Sequence, residues 1–177
     1  MGLTLLRHTT PQVAPGTCYG RRDLPLASSF AAEAEAVLTD LPDTARIVSS
    51  PALRCHRLAA WIGAARGLTP QVDPRLAEMD FGTWEGQPWD AVPRAGLDAW
   101  ARDFMQARPH GGESVAMLVA RVRPALADLR GAATVLAVTH AGVIRAALAL
   151  AGRADPWQAK VGFGQTVTLE WDEIAAL

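Results

Sequence analysis

Two short apolar runs that each end in a histidine constrain the fold of this chain more than any other feature. The first run, LTLLRHTT at 3–10, brings Arg7 and His8 to the end of a strand-like segment before Pro11 breaks it. The second run, ATVLAVT at 133–139, is followed directly by His140. Apolar runs of this length are typical of strands buried in a sheet. We therefore predict two buried strands that each place a histidine at a carboxyl end.

Segments of helical length alternate with the strand-like runs. Ser28 or Ser29 caps a first helix that Pro42 stops. The pattern predicts an α/β fold over residues 1–177 as one domain, a three-layer sandwich whose mainly parallel central sheet has helices on both faces. The predicted helices cover 28–41, 51–67, 96–107, 113–130 and 142–150, and the other predicted strands cover 45–50, 69–73 and 165–171.

Functional residues are expected at the carboxyl edge of the sheet, where open α/β sheets bind ligands. His8 and His140 end two strands, and Arg54 lies in the first turn of the helix that Pro51 opens. Backbone N–H groups and the helix dipole favour an anion at that turn. Together with Arg7, these residues supply two guanidinium and two imidazole groups, which suit a phosphate group. We therefore predict a pocket for a small phosphate ester.

Composition and cysteine content argue against several other classes of protein. A formal net charge of −1 gives no general attraction for nucleic acid or for an anionic membrane surface. Cys18 and Cys55 lack a paired spacing, which argues against a disulfide framework or a zinc site and fits a reducing cytoplasm. The sequence shows no basic leader and no long apolar segment, so a cytoplasmic protein is expected. The oligomeric state is left open, with a homodimer among the options.

Motifs of other enzyme classes are missing from the sequence. It contains no phosphate-binding loop, no zinc-protease motif and no nucleophile elbow. The run Gly162, Phe163, Gly164 resembles a dinucleotide fingerprint only weakly, because it precedes a strand-like segment rather than a helix.

Four motifs together resemble those of a known family. They are LLRHTTP, SSPALRC, LAEMDFGTWEG and VLAVTHAGVIR. In this order, over nearly the whole chain, they resemble the histidine phosphatase superfamily, also called phosphoglycerate-mutase-like. The resemblance implies that His8 attacks phosphorus to form a phosphohistidine, and that Glu78 protonates the departing alkoxide. It also implies that Arg7, Arg54 and His140 hold the phosphoryl oxygens, with no metal and no other cofactor.

The chain departs from the common family pattern at four positions. Thr9 and Thr10 follow the first histidine where a glycine and an acidic or amide residue are usual, and the β-branched Thr9 requires an ordinary backbone conformation. Ala14 replaces a frequent asparagine, and Ala141 replaces a common glycine. These differences count against a mutase, and so does the greater length of mutase-type members, whose added segments cover the site.

The loop PGTCYGRRDLPL resembles the short branch of the family that contains α-ribazole-5′-phosphate phosphatases of cobalamin biosynthesis. This resemblance predicts that aromatic side chains stack on a flat base. The predicted substrate-side residues are Tyr19, Gly20, Arg21, Trp84, Trp89 and Ala141.

Other loop residues and other functions are left open. Glu85 is expected to pack the loop, whereas the roles of Arg22, Arg108 and His110 are undecided. The alternatives to an α-ribazole phosphatase are a broad-specificity sugar or nucleotide phosphatase, a phosphoglycerate mutase, and a non-catalytic module that binds phosphoryl groups.

Overall fold

The central sheet is mainly parallel, as predicted. A computed structural model of the protein describes residues 2–131 and 134–174. Within these residues the strands are β1 (Gly2–Arg7), β2 (Arg46–Ser49), β3 (Gln71–Val72), β4 (Val135–Thr139) and β5 (Thr166–Glu170). Their order is β3-β2-β4-β1-β5, and β5 runs antiparallel to β1 while the other neighbours are parallel. The α/β fold class is confirmed.

Helices cover both faces of the sheet because its strands are apolar on both sides. The helices are α1 (Phe30–Asp40), α2 (Leu53–Arg66), α3 (Arg94–Arg102), α4 (Val115–Leu129) and α5 (Ala141–Leu150). Leu5 packs in a buried cluster with residues of α4 and α5, whereas the next residue, Leu6, packs in a second cluster with residues of α1 and α2. This alternation along β1 forms the two interfaces of the sandwich.

Several element boundaries differ from the predictions. The sequence predicts Pro51 at the first helical position, but α2 begins at Leu53 and its N-cap residue Ala52 is extended. The Ser50 amide still donates to the Val138 carbonyl at 2.9 Å, so Pro51 belongs to the connection between strand and helix. The predicted edge strand at 69–73 shortens to β3, and the predicted helix at 96–107 begins earlier and ends earlier, as α3. Residue 133, in the strand predicted at 133–139, lies outside the described residues.

The carboxyl ends of β1, β4 and β2 meet at one edge of the sheet. The His8 amide continues the pairing of β1 by donating to the Thr139 carbonyl at 3.0 Å. His8, His140 and Ser50 are therefore neighbours although they are distant in sequence. No helix in the described parts of the chain is long and apolar enough to cross a membrane.

Candidate active site

His8 directly follows β1 and is held as one tautomer. Its Nδ1 lies 2.7 Å from the carbonyl oxygen of Thr9, and because a carbonyl can only accept, Nδ1 carries the proton. Nε2 therefore carries no proton and has a lone pair that can accept a hydrogen bond. Burial, with the charges of Arg54 and Arg7, lowers the pKa of His8 to about 3. The residue is 1% exposed, and its ring is neutral at pH 7.

His140 lies at the end of β4 and is the N-cap residue of α5. Its Nδ1 accepts a hydrogen bond from Nη2 of Arg54 at 3.3 Å, so Nε2 carries the proton and donates to Ser50 Oγ at 2.8 Å. Burial, with His8 and Arg54 nearby, holds the pKa of His140 well below its usual value. The centroids of the His8 and His140 rings lie 5.2 Å apart, so the site contains two neighbouring neutral imidazoles.

Arg54 is fully buried between the two histidines. Its Nε donates to His8 Nε2 at 3.3 Å, and its Nη1 and Nη2 donate to the carbonyl oxygens of Arg22 and Gly20 at 2.9 and 2.8 Å. Every one of these acceptors is uncharged, and within residues 2–131 and 134–174 no carboxylate forms an ion pair with Arg54. A buried cation in neutral surroundings favours an anionic ligand.

Arg7 is the last residue of β1 and is held by the segment that precedes β5. Its Nη1 donates to the Val161 carbonyl at 2.6 Å, and its Cζ lies 4.0 Å from the ring centroid of Phe163. The buried Nε of Arg7 has no hydrogen-bond partner among the described residues.

Glu78 is attached to the N-terminus of α5. Its Oε2 accepts from the Gly142 amide at 3.1 Å, and its Oε1 accepts from the Met79 amide at 2.9 Å. A Cβ atom at position 142 would overlap Glu78 Oε1, so the close approach requires glycine. The carboxyl group is therefore fixed in place.

The main cavity of the site, of about 470 Å³, opens beside Arg7, His8 and Glu78. A further charged residue, Arg145, also lines it. Much of the remaining wall is aromatic and is formed by Tyr19, Phe81, Trp89, Trp100, Phe104 and Trp157. Such a cavity suits an ester whose phosphate meets the charged groups and whose alcohol is flat and largely apolar. Among the described residues no group of three His, Cys, Asp or Glu side chains is arranged to hold a metal ion.

A family model described as the histidine phosphatase superfamily, branch 1, matches residues 3–174. The chain belongs to this superfamily. Membership confirms the family that the four sequence motifs predicted.

Relatives of this chain carry different substrate names. A glucosyl-3-phosphoglycerate phosphatase of Mycobacterium tuberculosis is 41% identical over 87 residues, which are 47% of this chain but only 38% of that protein. A protein of the same name from Mycolicibacterium vanbaalenii is 30% identical, over 98% of this chain and 83% of its own length. The adenosylcobalamin/alpha-ribazole phosphatase of Escherichia coli is 28% identical, over 81% of this chain and 75% of its own length.

Solved structures show the same phosphoglycerate-mutase-like fold. TTHB049 from Thermus thermophilus superimposes with a TM-score of 0.80 at 32% identity, covering 97% of this chain and 94% of its own. A mycobacterial glucosyl-3-phosphoglycerate phosphatase superimposes with a TM-score of 0.82 at 29% identity, covering 96% of this chain and 89% of its own.

The predicted substrate-side residues separate into two groups. Tyr19, Trp89 and Ala141 line the main cavity. Gly20 and Arg21 instead line a smaller cavity of about 260 Å³, which also contacts Glu78 and His140. Glu78 therefore lines both cavities.

Trp84, predicted on the substrate side, lies in the structure behind the wall of the main cavity. This side chain is 4% exposed, belongs to a small buried cluster with Cys18 and Val92, and does not line the main cavity. Trp84 is the last residue of the short 3₁₀ turn Gly82–Trp84, and its side chain is buried there. Trp84 supports the aromatic wall from behind, because its ring lies 6.2 Å from Trp89 and 5.9 Å from Trp100.

Glu85 packs the loops together, as predicted. Its carboxylate accepts hydrogen bonds from the amides of Arg21 and Arg22 at 2.9 Å, and from that of Phe81 at 3.0 Å. Thr9 also has the ordinary backbone that its β-branched side chain requires, since it is not among the described residues with positive φ.

The three undecided residues lie away from the main cavity. His110 is buried against Trp84, with ring centroids 4.9 Å apart, and its Nδ1 accepts from the Gly112 amide at 3.0 Å. Arg108 donates to the Gly112 carbonyl at 2.7 Å, and Arg22 is exposed beside Gly86. None of them lines the space beside His8.

Sequence reasoning missed Arg145. This residue lies on α5, and its Nε donates to the Ala159 carbonyl at 3.1 Å while the side chain lines the main cavity. The available signal was its spacing, because residue 145 lies one helical turn after Ala141 and therefore on the same face of the helix. Trp100, Phe104 and Trp157 carried no such signal, since each lies outside the four motifs.

Proposed function

We propose that the protein is a phosphomonoesterase that works through a phosphohistidine on His8. The observation that carries this proposal is the neutral ring of His8, whose Nδ1–H donates to the Thr9 carbonyl and whose Nε2 keeps a lone pair beside Arg7 and Arg54. A free imidazole lone pair is a nucleophile, and the adjacent cations stabilise charge on phosphoryl oxygens. The phosphatase names of the relatives support the same reaction class.

In the first step, His8 Nε2 forms a bond to phosphorus while the bond from phosphorus to the alcohol oxygen breaks. Glu78 gives its proton to the departing oxygen, so the alcohol leaves neutral. Arg54 Nε donates to the same lone pair in the protein alone, at 3.3 Å. When substrate binds, the Arg54 Nε–H donates to a phosphoryl oxygen instead of to His8. The lone pair of His8 Nε2 then becomes available to attack phosphorus.

In the second step, water attacks the phosphohistidine. Glu78 accepts a proton from that water, the bond between nitrogen and phosphorus breaks, and inorganic phosphate leaves with His8 restored. Arg7 and Arg54 neutralise the charge on the phosphoryl oxygens throughout, while the neutral ring of His140 positions Arg54 by accepting its Nη2–H at 3.3 Å.

The aromatic wall favours α-ribazole-5′-phosphate as the substrate, because a flat base can stack on Tyr19 and Trp89 while its phosphate reaches His8. Glucosyl-3-phosphoglycerate is the second candidate. Arg145 places a cation in the main cavity, where it can bind a carboxylate of the alcohol, and two relatives carry this substrate name.

Trapping the intermediate tests the reaction class. Native protein quenched during turnover of a phosphorus-labelled ester should retain acid-labile label, and His8→Ala should retain none and hydrolyse nothing while its circular dichroism is unchanged. His56→Ala, at an exposed position of α2, is the matched control and should behave like the native protein. Normal turnover by His8→Ala would refute the nucleophile assignment. A folded native protein that forms no label and hydrolyses no ester would favour a non-catalytic phosphoryl-binding module.

A substrate panel tests the alcohol. We expect kcat/KM for α-ribazole-5′-phosphate to exceed that for simple sugar phosphates by about ten-fold or more. A higher value for glucosyl-3-phosphoglycerate that is lost in Arg145→Gln would favour the second candidate. Similar values across unrelated alcohols would instead indicate a broad-specificity phosphatase, and transfer of phosphate to a second hydroxyl would indicate a mutase.

A further inference from the structure

The segment from Val161 to Gln165 is tied to the end of β1. The Gly164 amide lies 3.1 and 3.2 Å from the carbonyl oxygens of Arg7 and His8, and the Gln165 carbonyl accepts from the Arg7 amide at 3.0 Å. Gly164 has a φ of +69°, which favours glycine. These contacts hold the backbone at Phe163 next to the end of β1.

Phe163 contacts both of these side chains. Its ring centroid lies 4.0 Å from the guanidinium carbon of Arg7 and 5.5 Å from the centroid of the His8 ring. The residue is 39% exposed and belongs to neither of the two clusters that flank the sheet. Because so much of the ring is exposed, its contribution to the core is small, and its contacts with the site need another explanation.

The segment from Val161 to Gln165 contacts the guanidinium group of Arg7 at one edge and on one face. The Val161 carbonyl binds Nη1 at 2.6 Å, which fixes one edge of the guanidinium group, and the Phe163 ring covers one face. An aromatic face attracts a cation and also restricts rotation of the planar group. The Nε edge keeps a donor that has no partner among the described residues.

We propose that Phe163 is a positioning residue, which holds the guanidinium group of Arg7 in the orientation that binds the phosphoryl group. The inference rests on the proposed function, which assigns Arg7 to that group. By ordering Arg7 before substrate arrives, Phe163 reduces the conformational entropy that is lost on binding. The weak Gly-Phe-Gly resemblance to a nucleotide fingerprint thus has a different meaning: the glycines shape a turn that presents an aromatic face to Arg7.

Two substitutions separate the aromatic face from apolar bulk. Phe163→Leu keeps an apolar side chain without a π face, and it should weaken binding of inorganic phosphate, measured by calorimetry, by roughly three- to thirty-fold. Phe163→Tyr keeps the face and should bind phosphate within about two-fold of the native protein. Phe30→Leu is the matched control, because the ring of Phe30 packs against Trp61 on the α1 and α2 side and should leave phosphate affinity unchanged. Circular dichroism monitors folding of each variant.

A double-mutant cycle shows whether Phe163 acts through Arg7. In an Arg7→Met background, which has no guanidinium group, Phe163→Leu should change phosphate affinity no further. An equal loss in both backgrounds would overturn the inference, as would native affinity in Phe163→Leu or a loss in Phe163→Tyr as large as that in Phe163→Leu.

The cycle is independent of turnover, so it separates this inference from the proposed function. If the native protein hydrolyses no ester but the cycle shows coupling, the phosphatase proposal fails and the role of Phe163 stands. If the native protein hydrolyses esters but the cycle shows no coupling, only the role of Phe163 fails.

Discussion

Substitution of Glu78 distinguishes a structural role of this residue from its proposed role as proton donor. Both of its carboxyl oxygens accept backbone amide hydrogen bonds, while the proposed reaction requires it to donate a proton to the alcohol. We expect Glu78→Gln to reduce kcat for an alkyl phosphate by roughly 10²–10⁴-fold. Binding of inorganic phosphate, measured by calorimetry, should change much less, because the phosphate contacts come from other side chains.

The nature of the leaving group sharpens this prediction. Nitrophenolate departs without a proton, so Glu78→Gln should release nitrophenol from p-nitrophenyl phosphate in a rapid stoichiometric burst, followed by slow hydrolysis of the phosphohistidine. Glu85→Gln is the control: its carboxylate binds loop amides, so we expect lower stability and no burst. Equal losses of turnover and phosphate binding in Glu78→Gln would assign Glu78 a structural role only.

At the residue scale, the motifs predicted which charged side chains lie close together but not which aromatic side chains line the main cavity. Arg7, His8, Arg54 and His140 could be predicted to meet because strand ends converge at one sheet edge. Trp84 could not be placed, because its side-chain direction depends on a 3₁₀ turn and on its packing against Cys18. The catalytic roles of the charged residues stay predictions until the variants are measured.

At the scale of single elements, the N-terminus of α5 links the sheet to Glu78. His140 caps this helix and Gly142 donates its amide to Glu78, so one turn presents two groups of the site. We expect Gly142→Ala to lower kcat for an alkyl phosphate by roughly 10²-fold, since a displacement of about 1 Å can have that effect. Helix stability should not fall, because alanine is the better helix former by about 1 kcal/mol.

A combined variant identifies the cause of that loss. Glu78→Gln together with Gly142→Ala should be no slower than Glu78→Gln alone, because both changes act on the same carboxyl group. Multiplied losses in the double variant would mean that Gly142 affects catalysis by some other route. Thermal unfolding of each variant shows whether the fold is retained.

Element boundaries depend on contacts that a local pattern does not contain. Pro51 is a favourable first helical residue, yet the Ser50 amide continues the ladder to β4 and delays the start of α2 until Leu53. The core strands β1 and β4 were predictable from their uninterrupted apolar runs. The edge strand β3 is shorter than predicted because its pairing with β2 covers only two residues.

At the scale of the whole molecule, buried neutral histidines link stability to pH. The pKa of His8 is lowered to about 3 and that of His140 also lies well below its usual value, in both cases chiefly by burial. The unfolded chain therefore binds more protons than the folded protein below about pH 6.5. The stability that comes from keeping these two histidines neutral is therefore fully present above about pH 6.5, and it is lost as the pH falls towards their pKa values in the folded protein.

Urea unfolding between about pH 6.5 and 4.5 measures this loss. We expect the free energy of unfolding to fall by up to about 1.4 kcal/mol per pH unit for each such histidine. His8→Gln should reduce the slope by one such contribution, with His56→Gln on the surface of α2 as the control. A slope that is the same in the native protein and in His8→Gln would show that His8 is not held neutral by the fold.

The charge of Arg54 has a consequence for how the protein should be stored and assayed. Its guanidinium group is fully buried among neutral acceptors, and burial of an unpaired charge lowers the free energy of unfolding. An anion that binds beside Arg54 reduces this penalty. A ligand that binds only the folded form adds about 2.7 kcal/mol of stability at a concentration 100-fold above its dissociation constant. The melting temperature should therefore rise with inorganic phosphate concentration, and the choice of buffer anion sets the apparent thermal tolerance of the protein.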